Sequence, residues 1–107
     1  ARELLTRPDR PTAVFAANDL SAIRVLEIAA ELGLRVPEEL SVVGYDNVPE
    51  AASAVPPLTS IAQPMHQMGA EAVRILLGLL SGETGEEHLR LPATLVVRAS
   101  TAPPTAP

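Results

Sequence analysis

The fold of this chain is decided by one segment: Val36-Pro37-Glu38-Glu39-Leu40-Ser41-Val42-Val43-Gly44-Tyr45-Asp46-Asn47. It begins after a predicted helix, continues as a short apolar strand at about residues 41–45, and stops at an acid and an amide, Asp46 and Asn47. In open α/β sheets, ligands bind at the carboxyl ends of the strands. The segment therefore predicts a strand together with a polar group at its ligand-binding end.

An earlier segment repeats this pattern. Residues 13–17 are uninterrupted apolar, which is typical of a strand buried on both faces, and Asn18 and Asp19 follow. We expect Phe15, in the middle of the run, to lie in the core. The two polar pairs are predicted at the same edge of one sheet. Asn18 and Asp19 are also common helix caps, and the pattern alone leaves capping and ligand binding open.

Apolar periodicity predicts the remaining elements. Two long helices are expected at about 19–33 and 65–80, with further strands at 58–62 and 91–98 and an Ala- and Pro-rich loop at 47–57. The first long helix has an apolar arc wider than one sheet contact requires, so it meets either other helices of its own domain or also a partner subunit. The predicted fold class is α/β, with a mostly parallel sheet and flanking helices.

Composition argues against several functions. The 107 residues include no Cys, and the net charge is −5. Nucleic-acid binding by this segment is disfavoured because it needs clustered basic residues. No apolar run approaches the roughly 20 residues that span a membrane. His66 and His88 lack metal-ligand spacing, and neither a nucleophile elbow nor a phosphate-binding glycine loop occurs. We therefore predict no enzyme activity, no metal and no cofactor.

Three motifs together resemble the lactose-repressor (LacI/GalR) family of bacterial transcriptional regulators. They are AAND at 16–19, VPEELSVVGYDN at 36–47 and PPLTSIAQP at 56–64, in the family's order and spacing, and the resemblance covers roughly residues 12–103. It implies a periplasmic-binding-protein-like (type I) fold, a cytoplasmic location, and a small-molecule effector, usually a sugar or related metabolite, in a cleft between two subdomains. Operator DNA would be bound only by an N-terminal helix-turn-helix domain outside this chain.

The resemblance also implies how the chain is organised. Residues 1–100 would be a fragment of the effector-binding and dimerisation domain of a longer protein. Of these, 1–62 would belong to the C-terminal subdomain, 65–88 would hold a crossover helix in the N-terminal subdomain, and 89–100 would be a returning strand. Residues 101–107 are rich in proline and are expected to form a disordered tail.

The resemblance assigns effector binding to Asn18, Asp46 and Gln63. Asp46 suits a sugar because an ionised carboxylate accepts hydrogen bonds through both oxygens and can bind adjacent hydroxyls. Phe15 and Tyr45 are the only aromatic residues, so they are the only side chains on which a sugar ring could stack. The sequence gives no further support for that role.

Homodimerisation is expected through helix 19–33 and the loop at 48–56. Six interface residues are predicted: Ala22, Ile23, Leu26, Ala51, Ala54 and Val55. Arg24 stands where the family often has a small residue, and two copies near a symmetry axis would repel unless each is paired with Glu27 or Glu31.

A periplasmic sugar-binding protein of a transport system, with the same fold, is the alternative interpretation. An enzyme on a flavodoxin-like sheet is disfavoured because the catalytic groups are missing. The run from Val36 to Asp46, followed by Pro-Pro-Leu-Thr-Ser-Ile, favours the regulator.

Overall fold

The computed structural model describes residues 1–83, 85 and 88–105. Within them the elements follow one another in this order: α1 (Arg2–Leu5), β1 (Ala13–Phe15), α2 (Asp19–Glu31), β2 (Ser41–Asp46), α3 (Pro49–Ser53), β3 (Thr59–Ala62), α4 (Met65–Leu80) and β4 (Thr94–Val96).

These elements form two compact units. Unit 1 comprises Ala1–Ala62 and Thr94–Pro107, and it contains the strands with α1 to α3. Unit 2 comprises Gln63–Ala93 and contains α4. The subdomain assignments remain predictions, and those for 65–88 and 101–107 partly concern residues 84, 86, 87, 106 and 107, which lie outside the described residues.

The described strands form one sheet in the order β1-β2-β3-β4. The first three strands are parallel, with Val14 opposite Val42 and Val43 opposite Thr59. The last strand runs antiparallel to β3, with Leu95 opposite Ile61. Parallel neighbours need a crossover between them, and α2 and α3 lie on the two crossovers. The predicted α/β class with a mostly parallel sheet is confirmed.

The core lies between α2 and one face of the sheet. Successive strand residues point to opposite faces, so Val42 and Gly44 share the face toward α2, and both are buried. The buried apolar residues form one cluster: Leu5, Ala16, Ala22, Val25, Leu26, Ile28, Ala29, Leu40, Val42, Ala51 and Leu58. Small alanines on α2 let the helix pack closely against the strands, which brings the beginning of α2 to the carboxyl edge of the sheet.

The expectation that Phe15 belongs to the core is wrong. Its side chain is 66% exposed, whereas Ala16 next to it is buried. Two properties of β1 explain the difference: the strand lies at the edge of the sheet, and Phe15 points to the face opposite that of α2. An uninterrupted apolar run predicts a strand covered on both faces, but within unit 1 only one face of β1 is covered.

Other boundaries differ in detail. The predicted loop at 47–57 contains the short helix α3, which begins at Pro49, a residue favoured in the first turn of helices. The last strand is shorter than the predicted 91–98. Gly33 follows α2 with φ +74°, a conformation that glycine adopts without strain and that ends helices. Helix α4 has the predicted bounds.

The residues after β4 return to the sheet. Ser100 is buried, its hydroxyl donates to the Val42 carbonyl at 2.6 Å, and it accepts from the Thr59 N–H at 2.8 Å. Thr101 and Ala102 lie in the tail that the sequence predicts to be disordered, but the Thr101 hydroxyl is hydrogen-bonded to the Thr59 hydroxyl and the Ala102 N–H donates to the Ser41 hydroxyl. The described start of this segment is therefore tied to β2 and β3.

In unit 2, α4 is apolar but none of its residues is buried. The large side chains that remain exposed include Met65, Val73, Leu77 and Leu80. The apolar face predicted for this helix exists, and within unit 2 it is left uncovered.

Candidate functional site

Asn18 lies at the junction between β1 and α2, and it is the helix cap. Its side-chain Oδ1 accepts a hydrogen bond from the Ser21 N–H at 2.8 Å, which satisfies one of the exposed amides of the first turn. Because the cap uses only the carbonyl oxygen, the amide nitrogen of Asn18 can still donate to a ligand. Capping and ligand binding, left open by the sequence, are thus compatible in this residue.

Asp46 and Asn47 form a strained turn where β2 ends. Their φ angles are +109° and +58°, in the left-handed half of backbone space that residues other than glycine rarely adopt. Such conformations cost of the order of 1–3 kcal/mol each and persist only where surrounding contacts enforce them. Strain of this kind concentrates at ligand-binding positions, so the turn is a candidate site on backbone grounds alone.

The strand register brings the two polar positions level with each other. Phe15 is opposite Val43, and the Ala16 N–H continues the ladder by donating to the Val43 carbonyl at 2.9 Å. Three residues beyond this pair the same register reaches Asn18 on one side and Asp46 on the other. Both predicted residues therefore lie at the carboxyl edge of the parallel strands within unit 1.

Asp19 has neither of the two roles, helix capping and ligand binding, that the sequence left open. Its carboxylate is fully buried, accepting a hydrogen bond from the Ser60 hydroxyl at 2.6 Å and another from the Val48 N–H at 2.8 Å. The Ser60 hydroxyl oxygen in turn accepts from the Asn47 N–H at 3.1 Å. A buried carboxylate is tolerated when hydrogen bonds replace its hydration. Asp19 thus holds the strained turn from beneath and is a structural residue.

This arrangement requires glycine at position 44. A Cβ atom built there would lie within 2.9 Å of Leu58 Cδ2 and 3.2 Å of the Asp19 Cα, and it would overlap Asp19 Oδ1. Only a residue without a side chain lets the beginning of α2 approach β2 this closely. The glycine of the Gly-Tyr-Asp sequence is therefore required for Asp19 to occupy its buried position.

Arg98 completes the support of the turn. One guanidinium nitrogen donates to the Leu58 carbonyl at 2.7 Å, and the other donates to Asn47 Oδ1 at 2.7 Å. Its backbone N–H donates to Thr59 Oγ1 at 2.9 Å. Among the described residues no buried side-chain nitrogen or oxygen lacks a hydrogen-bond partner, so the network is fully satisfied.

Gln63, the third predicted effector residue, is the first residue of unit 2 and is partly buried. Its role remains a prediction. Unit 2 also contains a cavity of about 180 Å³, lined by Arg74, Ile75, Gly78, Leu79, Glu83 and Gly85. None of the predicted effector residues lines this cavity, so the strained edge of unit 1 is the better candidate.

Three of the six predicted dimer-interface residues need correction. Ala22, Leu26 and Ala51 are buried in the core of their own chain, because the α2 face that carries them covers the sheet and α3. They have no surface to offer a partner. Of the other three, Ile23 and Ala54 are partly buried against the core, and Val55 is 88% exposed.

Arg24 is paired, as the repulsion argument requires. Its guanidinium lies 3.0 Å from Glu27 and 3.7 Å from Glu31. The hydrogen bond to Glu27, with the charge of Glu31, raises the pKa of Arg24. The arginine is therefore accompanied by two acids of its own helix.

Comparison of the chain with known proteins identifies its family. A family model described as "Periplasmic binding protein-like domain" matches residues 1–101. The chain belongs to that family. The periplasmic-binding-protein-like domain is 41% identical over 101 residues to the HTH-type transcriptional repressor CytR of Escherichia coli K12, covering 94% of this chain and 30% of CytR. It is 46% identical over 100 residues to the HTH-type transcriptional regulator CelR of Thermobifida fusca, covering 92% of this chain and 29% of CelR.

Similar solved structures also belong to transcriptional regulators. A LacI family transcriptional regulator from Bifidobacterium animalis has a TM-score of 0.92 and 35% identity, over 97% of this chain and 38% of that one. A CelR–cellobiose complex has a TM-score of 0.84 and 48% identity, over 92% of this chain and 31% of that one. The resemblance to LacI-family regulators, as part of their effector-binding domain, is confirmed. The domain spans about 30% of the length of the curated relatives it matches.

These relatives are transcriptional regulators, which is consistent with a protein that is not an enzyme. In the described part of the domain, no cluster of three or more His, Asp or Glu side chains could hold a metal ion. No helix there is long and apolar enough to cross a membrane. His66 and His88 are both exposed.

Sequence reasoning missed the residues that support the turn. Ser60 carried a signal, since it is a polar residue inside the strand predicted at 58–62. Arg98 carried only a weak one, as a charged residue at the end of the last predicted strand. The roles of both depend on contacts between distant parts of the chain.

Proposed function

We propose that this domain binds a small polyhydroxylated effector, of sugar type, at the carboxyl edge of its parallel strands. The observation that carries the proposal is the strained Asp46–Asn47 turn, held by a complete hydrogen-bond network where LacI-type domains are expected to bind effector. The backbone at the end of β2 is strained, and the buried Asp19 carboxylate supports it. Such strain persists only where surrounding contacts enforce it, and here those contacts hold one side chain in a fixed position. That side chain is Asp46.

The chemistry of the edge suits a sugar. Asp46 would accept hydrogen bonds from two neighbouring hydroxyls, and the Asn18 amide would donate to a hydroxyl or ring oxygen. Gln63 is proposed as a further ligand on the family resemblance. A known member of the family that is 48% identical to this chain was solved with cellobiose, and this makes a disaccharide the first probe to test.

The test is a titration of the ¹⁵N-labelled chain with cellobiose and then with a panel of mono- and disaccharides, followed by NMR. Shifts concentrated at the amides of residues 17–19 and 45–48 are expected. Asp46→Ala should weaken binding about tenfold or more, since a hydrogen bond to a charged group contributes roughly 1.5–3 kcal/mol. Unchanged affinity in that variant would exclude Asp46 as a ligand.

Asn18 allows a control that separates its two roles. Asn18→Asp keeps an oxygen that can cap α2, and a carboxylate is favourable at a helix N-terminus, but it removes the amide donor. The variant should melt like the parent while binding the sugar more weakly. If both properties are unchanged, Asn18 is only a cap.

Self-association is proposed through the accessible part of α2 and the α3 region. Val55 supports it as an exposed apolar residue, and Ile23 and Ala54 support it as apolar residues that are only partly buried. Light scattering at micromolar concentration should report twice the 11.2 kDa chain mass. Val55→Asp should produce a folded monomer, whereas Val97→Asp, at another exposed valine, is the matched control and should remain a dimer. A parent chain that is monomeric refutes the proposal.

The full protein is proposed to be a cytoplasmic regulator that binds operator DNA through a part of it other than this domain. The relatives named above are transcriptional regulators, and this favours regulation over the alternative of sugar transport. The 5′ end of the gene tests the choice: a helix-turn-helix supports the regulator, and a secretion signal supports the transport protein.

A further inference from the structure

The turn that carries Asp46 is held from several directions at once. The Asn47 N–H donates to Ser60 Oγ, and the Val48 N–H donates to the buried Asp19 carboxylate. On the other side of Asp46, β2 is paired with β3, where Asp46 lies opposite Ala62. A fourth support is the Asn47 side chain, whose Oδ1 accepts a hydrogen bond from Arg98.

The Arg98 side chain joins two points that belong to different strand ends. Its planar fork links the Leu58 carbonyl, just before β3 begins, to the Asn47 amide oxygen, just after β2 ends. Both hydrogen bonds are 2.7 Å long, and their donors are the two terminal nitrogens of the same guanidinium. The backbone N–H of Arg98 adds a bond to Thr59 Oγ1, so the base of the side chain is also fixed.

We infer that Arg98 is a positioning residue for effector binding, which acts by clamping Asn47 and so presetting the Asp46 carboxylate. This rests on the proposed role of Asp46 as a ligand. Both terminal nitrogens of Arg98 donate to protein acceptors, one of them the Asn47 side chain, so the effect inferred for Arg98 is transmitted through Asn47. Left-handed backbone at two successive residues relaxes unless neighbouring contacts enforce it, and the guanidinium is one of those contacts.

Arginine is specific to this role. Its rigid fork donates in two fixed directions, whereas a lysine ammonium is a compact group on a flexible stem. Arg98→Lys can reach one acceptor or the other and should preserve part of the clamp. Arg98→Met keeps a long apolar chain but donates to neither acceptor. Order at the turn should therefore decrease from arginine to lysine to methionine.

The first experiment needs no ligand. Amide hydrogen exchange of the 107-residue chain is followed by NMR in the parent, Arg98→Lys and Arg98→Met. Exchange at Asn47 and Val48 should accelerate about tenfold or more in Arg98→Met, and less in Arg98→Lys. The Ala16 amide, bonded to the Val43 carbonyl in the same sheet, is the internal reference and should not change. Equal acceleration at all three amides indicates general destabilisation and overturns the inference, as does no acceleration.

Asn47 provides variants that do not disturb the Leu58 contact. Asn47→Gly removes the acceptor while suiting a φ of +58°, so it stays folded even if Arg98→Met does not. Asn47→Asp keeps an acceptor for Arg98 and is the matched control. Faster exchange at Val48 in the glycine variant, with parent-like exchange in the aspartate variant, is expected. Parent-like exchange in both overturns the inference.

The second experiment measures binding, with cellobiose as the probe. Asn47→Gly and Arg98→Met should each weaken binding about tenfold, and the double variant should be no weaker than either single one, because both remove the same contact. Additive losses, or none, overturn the inference. If Asp46→Ala binds cellobiose like the parent, or the parent does not bind it, the proposed function or its probe has failed, and the exchange data still decide whether the clamp exists.

Discussion

Gly44→Ala tests the close approach on which the whole edge depends. The added methyl group would overlap Asp19 Oδ1 and press against Leu58 Cδ2, 2.9 Å away, and the Asp19 Cα, 3.2 Å away. The Leu58 side chain could adjust, but Asp19 Cα is backbone at the beginning of α2. Relief therefore requires α2 to move away from β2, or the carboxylate to leave its buried position.

The magnitude follows from those two routes. Overpacking a well-packed core costs typically 1–3 kcal/mol. Displacing the carboxylate weakens its bonds from Ser60 and Val48, each a bond to a charged group contributing roughly 1.5–3 kcal/mol. Part of the second cost replaces the first, so we expect a loss of about 2–4 kcal/mol in the free energy of unfolding. That is a large fraction of the roughly 5–15 kcal/mol that stabilises a typical domain.

Urea unfolding measures the effect, with Tyr45 fluorescence as the signal. Tyr45 is the only tyrosine, the chain has no tryptophan, and the residue adjoins position 44. With a urea dependence of roughly 1–3 kcal/mol per molar, the midpoint should fall by about 1 M or more.

Gly69→Ala is the control, because a Cβ there meets nothing within 4 Å and the glycine lies inside α4. Alanine is the better helix former by up to about 1 kcal/mol, so this variant should not lower the Tyr45 midpoint. If Gly44→Ala unfolds at the same urea concentration as Gly69→Ala, the packing argument is refuted.

Three further outcomes are expected. Ser100→Ala leaves the buried Val42 carbonyl and Thr59 N–H without their partner and should cost about 1–3 kcal/mol in urea unfolding, whereas the exposed Ser53→Ala should change it by less than about 0.5 kcal/mol. The Arg35 N–H donates to the Glu39 carboxylate at 2.9 Å, and this hydrogen bond lowers the pKa of Glu39. The stability that ionised Glu39 contributes is therefore present above its unfolded-state pKa and is lost as the pH falls through its folded-state pKa. An NMR titration should therefore give Glu39 a lower pKa in the folded chain than in urea, and equal values would contradict the contact. The isolated chain should cause no salt-dependent mobility shift of duplex DNA, since its net charge is −5.

Much of the fold could be predicted because its signals are local. Helix α4 has the predicted bounds, and α2 and β2 differ from their predicted ends by one or two residues. Helical and strand periodicities are set by near neighbours in the chain, and so are the signals that end α2 at Gly33 and begin α4 at Pro64. The polar residues at strand ends were also visible locally, which is why Asn18 and Asp46 could be singled out.

The errors share one cause. Phe15 was expected in the core because its neighbours are apolar, but its exposure depends on the position of β1 at the edge of the sheet. Ala22 and Leu26 were assigned to a partner because the apolar arc of α2 is wide, but the chain's own sheet covers them. Periodicity identifies an apolar face without saying what packs against it.

By itself, the sequence determined the α/β class, the family resemblance, and two polar residues at the ends of neighbouring strands. Only the tertiary structure decided the roles of the adjacent residues Asn18 and Asp19, the first as a helix cap and the second as a buried carboxylate. It also brought Arg98 to Asn47, 51 residues away along the chain. The physical reason is that a hydrogen bond depends on distance in space, and sheet order with strand register sets that distance for residues far apart in sequence.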